Sequence, residues 1–408
     1  MKKVLVISAV FPPEPVVSAN LSFDIANALS EENQIIVLTP KPSRPFGFKF
    51  NPSELKFNFK HIQTTSYTCP KSSLFGRFKE SYSFGKQSYK YINKNNKDIE
   101  VIYANTWPLL AQFFTVKAAK KNNIPVIIHV QDIYPESLTN KIPIIGSLFS
   151  FILKHLDNYI LKNATRIIAI SEKMKKYIVT TRKINSDKVI VIQNWQDEES
   201  FIQFRQLKKL KPNDANPFTF MYLGNIGPVA GIDTLIDAFV NAKLNNSRLI
   251  IAGSGSMKES LEKKAEKIKD VKIEFWDVPN GKVPEIQDVA DVLLLPIKKG
   301  AALSSIPSKL TSYMFSKKPI IASVDEDSDT AKCITEAGCG YVIEPQDKEQ
   351  LSKGMAAMMD LTKDQRNQMG ENGLFFAQNN MSKKINLEKV ITIIENISVS
   401  TPKIKTIK

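Results

Sequence analysis

Cysteine and histidine are scarce in this sequence of 408 residues, which contains three of each. The cysteines, Cys69, Cys333 and Cys339, include no CxxC pair, and their odd number gives no complete disulfide framework. A small secreted domain stapled by disulfides is therefore excluded, and a reduced, cytoplasmic protein is favoured.

Long hydrophobic runs are also missing, because no run reaches the ~18 apolar residues that a membrane-spanning helix requires. The opening segment MKKVLVISAVFPPEP has two lysines and a short apolar run, as a signal peptide has. It lacks a small-residue cleavage site, and a helical pattern follows at once. We therefore interpret it as a buried first strand.

Acidic residues are outnumbered, with 41 Asp and Glu against 56 Lys and Arg and a net charge of +15. This excess favours anionic partners, which include phosphorylated ligands, an anionic membrane face and nucleic acid. The apolar share of 43% and the charged share of 24% are typical of a soluble globular protein.

Short apolar runs, each followed by a helical pattern, recur along the chain. Their apolarity is continuous, which is typical of strands buried on both faces of a parallel sheet. They form two series and so predict an α/β protein with two doubly wound, Rossmann-like domains. The runs are residues 4–10, 34–40, 101–106, 125–132, 166–171 and 189–194 in the first series, and 218–224, 248–253, 271–277, 291–297, 319–323 and 340–345 in the second.

The domain boundary is predicted within residues 195–217, where QLKKLKPNDANP (206–217) has the composition of a linker. We predict a first domain over residues 1–200 and a second over 201–380. Residues 381–408 contain an amphipathic helix that we expect to pack back on the first domain, followed by a frayed end.

Glycine-rich turns between strand and helix point to a phosphate site in the second half. In YLGNIGPVAG (222–231), Gly224, Asn225 and Gly227 leave the backbone N–H groups open to an approaching anion. Gly253 occupies a similar turn in IIAGSGSMKESLEKK. The alternative is a plain strand–helix connection without a ligand.

A further anion site is predicted where Pro307 ends a loop, Ser308 is suited to cap a helix and Lys309 falls in the first turn. Unpaired N–H groups together with an ammonium attract an anion. A simple capped helix is the alternative.

Polar loops of the first half have a different chemistry. Asp132 and Glu136 follow a strand in HVQDIYPES, with His129 close by, and carboxylates there bind hydroxyls or accept a proton. Alternatively, Asp132 caps the turn and Glu136 is solvated. The acceptor-binding candidates in this half are Glu14, Ser18, Asn20, His129 and Asn194.

Aromatic and basic residues alternate in residues 72–97, and the apolar run of residues 141–164 is broken by Lys154, His155 and Asp157. These segments are suited to peripheral contact with an anionic membrane face. The alternative for residues 72–97 is a surface helix with an aromatic core stripe and a solvated basic face.

Over nearly its whole length the chain resembles the family 4 retaining glycosyltransferases, which have the GT-B fold of two Rossmann-like domains facing a cleft. It is most similar to the bacterial surface-polysaccharide branch that includes fucosamine transferases. The resemblance rests on the order and spacing of FPPEP, QDIYPES, AISEKMKKYI, VIQNW, YLGNIGPVAGIDTLIDAF, IIAGSGSMKESLE, DVPNGKVPEIQDVADVLLLPI, IPSKLTSYMFSKKPIIAS and EAGCGYVIEPQD.

The resemblance implies that the glycine turns line the donor diphosphate, that Ser308 and Lys309 bind its phosphates, and that the turn around Trp276 and Val278 holds the nucleobase. Asp132 and Glu136 would face the reacting sugar or the acceptor, as the catalytic pair. It implies no metal and no cofactor besides the nucleotide-sugar donor.

This sequence departs from the family at several positions. Ala230 stands where many members have a phosphate-binding lysine, and Ser304 and Ser312 stand where most have two glutamates. Val17 and Ser18 replace the usual Gly-Gly after the first strand. The usual phosphate lysine and acidic sugar contacts are therefore in question, and Lys309 is the candidate that supplies the positive charge instead.

The resulting hypothesis is a cytoplasmic, peripheral enzyme that moves a sugar from a UDP-linked donor to a lipid-linked or saccharide acceptor in capsule or O-antigen biosynthesis. A nucleotide-sugar 2-epimerase shares the architecture but needs acid/base groups around the sugar, and histidines are few. A basic nucleic-acid-binding protein is the other alternative, although no nucleic-acid motif is present.

Overall fold

The computed structural model of the chain describes residues 1–44, 50, 56–70, 73–105, 108–133, 147–207, 217–279, 281–300 and 306–397. The chain divides into two compact units. Unit 1 comprises Met1–Gln193 and the chain from Asn386 onward, and unit 2 comprises Asn194–Ile385.

Unit 1 is built on a parallel sheet whose strand order is β3-β2-β1-β4-β5-β6-β7. The strands are β1 Lys3–Ser8, β2 Gln34–Thr39, β3 Lys60–Gln63, β4 Val101–Asn105, β5 Val126–Val130, β6 Arg166–Ala169 and β7 Val189–Val191. Its helices are α1 Val17–Leu29, α2 Leu74–Lys94, α3 Leu109–Lys121, α4 Ser147–Asn163 and α5 Glu172–Arg182.

Unit 2 repeats this design with the parallel strand order β10-β9-β8-β11-β12-β13. The strands are β8 Phe218–Leu223, β9 Ser247–Ala252, β10 Lys272–Trp276, β11 Val292–Pro296, β12 Ile320–Ser323 and β13 Gly340–Ile343. The helices are α6 Glu199–Leu207, α7 Ile232–Ala242, α8 Lys258–Ala265, α9 Val283–Asp288, α10 Ser308–Phe315, α11 Asp329–Ala337, α12 Lys348–Asp360 and α13 Lys363–Asn380, and α14 Lys383–Asn396 leads from unit 2 into unit 1.

The central strands are buried on both faces, as their continuous apolarity predicted. β4, β5 and β11 are buried at every position. β3 was not predicted, because its sequence KHIQ is short and polar, as suits a strand at the edge of the sheet.

Helix α14 completes the core of unit 1. Its Val390 and Ile394 are fully buried, and Asn386 donates through Nδ2 to the carbonyl of Gln193 at 3.1 Å. The ammonium of Lys2 donates to the carbonyl of Ile397 at 2.7 Å and so caps the carboxyl end of this helix.

Helix α2 shows how the aromatic residues of 72–97 are divided. Phe84 is buried, and Phe78, Tyr89 and Tyr91 pack against the core of unit 1. Phe75 remains 83% exposed. The helix thus combines the predicted core stripe with an outer face that includes Phe75.

None of the helices that the structure describes is long and apolar enough to traverse a bilayer.

Candidate active site

The turn after β8 carries the first part of the site in unit 2. Gly224 has φ of +155°, and a Cβ placed on it would collide with Cε of Lys309, whose stem therefore lies directly over this glycine. The Tyr222 hydroxyl donates to the carbonyl of Asn225 at 2.6 Å and fixes the turn. Asn225 is exposed, and Gly227 is buried.

The turns after β8 and β9 are joined by backbone hydrogen bonds. Ile226 N–H donates to the Ser254 carbonyl at 2.8 Å, and Met257 N–H donates to the Ile226 carbonyl at 3.0 Å. Gly253 has φ of +134°, and a Cβ there would collide with the carbonyl oxygen of Gly224. The absence of a side chain at Gly253 therefore allows the turn after β9 to lie directly against the turn after β8.

Lys309 lies in the first turn of α10, which contains no acidic residue. Its Nζ lies 5.2 Å from the centroid of the Tyr222 ring. Burial lowers the pKa of Lys309 below its ordinary value of 10.5, with no contribution from a neighbouring charge. A partly buried ammonium at a helix N-terminus, in the absence of a nearby carboxylate among the described residues, has the character of an anion-binding group.

The predicted cap of α10 differs in detail. The helix begins at Ser308, and the N-cap is Pro307, which provides no side-chain cap bond. Ser308 is therefore the first helical residue, and its side chain is exposed. Pro307 suits this position because its ring fixes φ, here at −65°, and its ψ of 137° gives the extended backbone that is typical of an N-cap residue.

β10 pairs with β9 in parallel, so the aromatic and apolar residues at its carboxyl end lie beside the turn after β9. Trp276 and Val278 are partly buried against the core of unit 2. Trp276 Nε1 donates to Glu274 Oε2 at 2.9 Å, and the Arg248 guanidinium lies 5.8 Å from the ring centroid. These contacts leave Trp276 fixed in orientation, as a stacking surface requires.

Two of the positions at which the sequence departs from the resembled family, Ser312 and Ala230, lie among the described residues, and both are buried. Ser312 is buried, and its hydroxyl accepts from Gln287 Nε2 at 2.8 Å. Ala230 is buried at the start of α7. Ser304 lies outside the described residues.

In unit 1, Glu14 is 3% exposed and its carboxylate accepts from three backbone N–H groups. Phe11 donates at 3.2 Å, Ser43 at 2.8 Å and Arg44 at 2.9 Å. Burial raises the pKa of Glu14 despite these bonds. The sequence placed Glu14 in an acceptor site, whereas the structure shows it joining two loops.

His129 lies in the interior of unit 1 at 1% exposure and not at the surface of the predicted acceptor site. Its Nδ1 is 2.6 Å from the Tyr103 hydroxyl. Burial lowers the pKa of His129 to about 3, so the ring is neutral at physiological pH. The sequence prediction failed because His129 is still inside β5, whereas Asp132 lies beyond its end.

The remaining predicted residues of the first half lie in several places. Asp132 is exposed just after β5, Ser18 is half-buried in the first turn of α1, and Asn20 is exposed on the same helix. Asn194 is half-buried where the chain enters unit 2. Glu136 lies outside the described residues.

The structure reveals a polar group that sequence reasoning missed, at the carboxyl ends of β1 and β4. Asn105 donates through Nδ2 to Ser22 Oγ at 3.0 Å, and Ser22 Oγ is 2.8 Å from Ser8 Oγ. The strand order reverses between β1 and β4, which is where ligands bind in doubly wound sheets. The polar residues that end YANT and VIS were the available signal.

The two edges differ in what they can bind. Unit 2 presents a bare backbone turn and the Lys309 ammonium, which suit a diphosphate. Unit 1 presents the half-buried Ser18 and the exposed Asp132, which suit sugar hydroxyls, whereas Ser8, Ser22 and Asn105 are buried behind them. Within the described part of the chain, no group of three or more His, Cys, Asp or Glu residues is arranged to hold a metal ion.

Two family models match the chain. The model described as Glycosyltransferase Family 4 matches residues 19–200, and the one described as Glycosyl transferases group 1 matches residues 203–374.

Among proteins of similar sequence, the chain is 23% identical over 280 residues to "Probable glycosyltransferase WbjE" of Pseudomonas aeruginosa. The aligned region covers 64% of this chain and 66% of WbjE. It is 24% identical over 210 residues to WcaI of Escherichia coli K12, a protein named for colanic acid biosynthesis, across 50% of this chain and 51% of WcaI. The chain thus spans just under two thirds of WbjE and about half of WcaI.

Among solved structures, HepE of Anabaena in complex with UDP is similar, with a TM-score of 0.71 and 15% identity over 97% of this chain and 100% of HepE. This likeness concerns the fold, and it confirms the predicted pair of Rossmann-like domains.

The contact between the two turns gives a first prediction. Gly253→Ala should lower the free energy of unfolding of the protein by about 1–3 kcal/mol, because the new methyl group overpacks the Gly224 carbonyl. The measurement is urea unfolding. Gly281→Ala is the matched control, since Gly281 also has positive φ, +76°, but a Cβ there meets nothing within 4 Å. Equal destabilisation of both variants would show that backbone strain, and not the turn contact, dominates.

Proposed function

Because the chain belongs to glycosyltransferase family 4, we propose that it transfers a sugar with retention from a nucleotide diphosphate donor to a lipid-linked or saccharide acceptor. The observation that carries this proposal is the position of Lys309. Its ammonium is partly buried, it lies over a glycine turn, and no charged neighbour contributes to its pKa. This is the environment that a leaving diphosphate needs.

In this proposal, the donor binds unit 2. Gly224, Asn225 and Gly227 present the backbone to the diphosphate, and the N-terminus of α10, with Pro307, Ser308 and Lys309, compensates its charge. Trp276 and Val278 hold the nucleobase, while Gly253 supports the turn. The HepE complex with UDP supports UDP as the nucleotide.

Unit 1 receives the acceptor in the proposed reaction. Asp132 is the catalytic candidate, together with Glu136, because an exposed carboxylate directly after β5 lies at the end of the sheet where ligands bind and is suited to accept a proton from a hydroxyl. Ser18 and Asn20 on α1 are the acceptor contacts that the structure leaves at or near the surface. We place the reaction in surface-polysaccharide biosynthesis, which the likeness to WcaI supports.

The outer face of α2 is the proposed membrane contact. Phe75, Lys79, Tyr82, Lys86 and Lys90 follow one another at helical spacing and are all exposed. Lys86 Nζ lies 4.7 Å from the centroid of the Tyr82 ring. A basic face with two exposed aromatic rings suits the interface of an anionic bilayer, where a lipid-linked acceptor would be located.

Lys309→Ala should weaken the binding of UDP roughly tenfold or more, because a charge-assisted hydrogen bond contributes ~1.5–3 kcal/mol. Isothermal titration calorimetry measures it. Since the pKa of Lys309 is lowered, UDP affinity of the wild type should fall as the pH rises toward 10.5 and the ammonium loses its proton. The variant should lack this fall.

Lys353→Ala, which removes an exposed lysine from α12, is the matched control and should bind UDP like the wild type. Equal UDP affinity of Lys309→Ala and the control would refute the phosphate role. A thermal-shift panel of nucleotide sugars then identifies the donor, since a ligand of the folded state raises stability.

Asp132→Asn should lower turnover by about 10²–10⁴-fold while leaving UDP affinity unchanged, because a positioned acid or base is lost and the diphosphate site is in the other unit. Steady-state kinetics with the identified donor and acceptor measure it. Turnover within about twofold of the wild type would mean that Asp132 only caps its turn.

The triple reversal Lys79→Glu, Lys86→Glu, Lys90→Glu should abolish binding to anionic vesicles and leave UDP binding intact. Each lysine near such a surface contributes ~1 kcal/mol, and salt screens it. Arg77 is left unchanged because its guanidinium pairs with Glu80 at 2.6 Å. Vesicle sedimentation at low and high salt is the assay, and equal pelleting of wild type and variant would contradict the proposal.

A further inference from the structure

A positively charged pocket lies at the amino ends of β6 and β7 in unit 1. Its volume is about 760 Å³, and its walls come from the last turn of α4, the residues that lead into β6, the residue before β7 and the last turn of α14. The side chains that matter for its chemistry are Lys162, Arg166, Lys188, Thr165, Thr392 and Asn396.

The charge of this pocket is of one sign. Lys162, Arg166 and Lys188 contribute three cations, and no carboxylate is found among the described residues that line it. Lys162 and Arg166 are exposed, whereas Lys188 is half-buried. Burial, and then the nearby charge of Arg166, lowers the pKa of Lys188. The cations therefore repel each other at a site that excludes part of the solvent.

Hydrogen bonds to the carboxyl ends of helices explain only part of this positive charge. The Lys188 ammonium donates to the Lys162 carbonyl at 2.7 Å, which satisfies the carboxyl end of α4. The carboxyl end of α14 is already capped by Lys2, which donates to the carbonyl of Ile397. Lys162 and Arg166 are thus not needed to cap either helix, and their charge remains uncompensated within the pocket.

The pocket is separate from the candidate active site. Strands β6 and β7 begin here, whereas Asp132, Ser18 and Asn105 lie where β5, β1 and β4 end or just beyond. Parallel strands place these two sets at opposite edges of one sheet. A ligand of this pocket would therefore be distinct from the acceptor of the proposed reaction.

We propose that this pocket binds a phosphate-bearing ligand through Arg166, Lys188 and Lys162. A guanidinium provides paired donors that match phosphate oxygens, and the two ammonium groups add point charges. Lys188 keeps two N–H donors beyond its bond to the Lys162 carbonyl. A phosphate monoester carries about −1.5 to −2 charges at neutral pH, which balances the uncompensated charge of Lys162 and Arg166, and the single charge of a phosphodiester headgroup balances part of it.

The same chemistry is supplied by a free phosphate compound and by a phospholipid headgroup, so the test has two arms. One measures the binding of radiolabelled pyrophosphate by equilibrium dialysis. The other measures the binding of monomeric dihexanoyl-phosphatidylglycerol. Both use full-length protein that carries Lys309→Ala, so that the proposed donor site contributes little.

In this background, Arg166→Gln with Lys188→Gln should weaken binding at least tenfold in one arm. Glutamine at 188 retains a donor for the Lys162 carbonyl, and thermal unfolding verifies the fold. Arg166→Gln alone, at an exposed position, should show a smaller loss in the same arm. The charge-matched control is Lys176→Gln with Lys183→Gln, which removes two exposed lysines outside the pocket.

A loss in the pyrophosphate arm identifies a free phosphate compound as the ligand, and a loss in the lipid arm alone identifies a headgroup. If the pocket variants and the charge-matched control bind both probes equally, the pocket is an ordinary solvated surface and the proposal is overturned.

Discussion

Parallel strand pairing is the constraint on which the rest of this protein depends. Each pairing between the described strands is parallel, so the carboxyl ends of neighbouring strands meet at one edge in each unit. The glycine turns, Lys309 and Trp276 are therefore neighbours in unit 2 although they are far apart in sequence. The same rule brings Asp132, Asn105 and the start of α1 to one edge of unit 1.

Much of the fold was predictable from the sequence, because buried parallel strands have continuous apolar sequences. All twelve predicted runs contain strands. β3 was missed, since an edge strand needs no apolar run and KHIQ has none. In α2, the mixed aromatic and basic pattern predicted a helix, but only packing could show that Phe84 is buried and Phe75 exposed.

The site was predictable as a set of loops and less so as a set of side chains. Sequence order placed Gly224 and Lys309 after the right strands, but it could not show that one lies over the other. It could not tell Glu14, whose carboxylate binds backbone N–H groups, from a carboxylate that faces a ligand. β5 is buried at every position, so an error of one or two residues in the position of its end changes a predicted surface residue into a core residue, as at His129.

Unit 1 is formed by two separate parts of the chain, and this affects how the protein folds while it is being translated. Its core includes Val390 and Ile394, which leave the ribosome after the whole of unit 2 has been made. During translation, unit 2 can therefore mature while its neighbour still lacks one helix and exposes the apolar surface that this helix covers. A truncation at Gln193 would make that exposure permanent, so an isolated first domain requires a circularly permuted gene that joins α14 to β1.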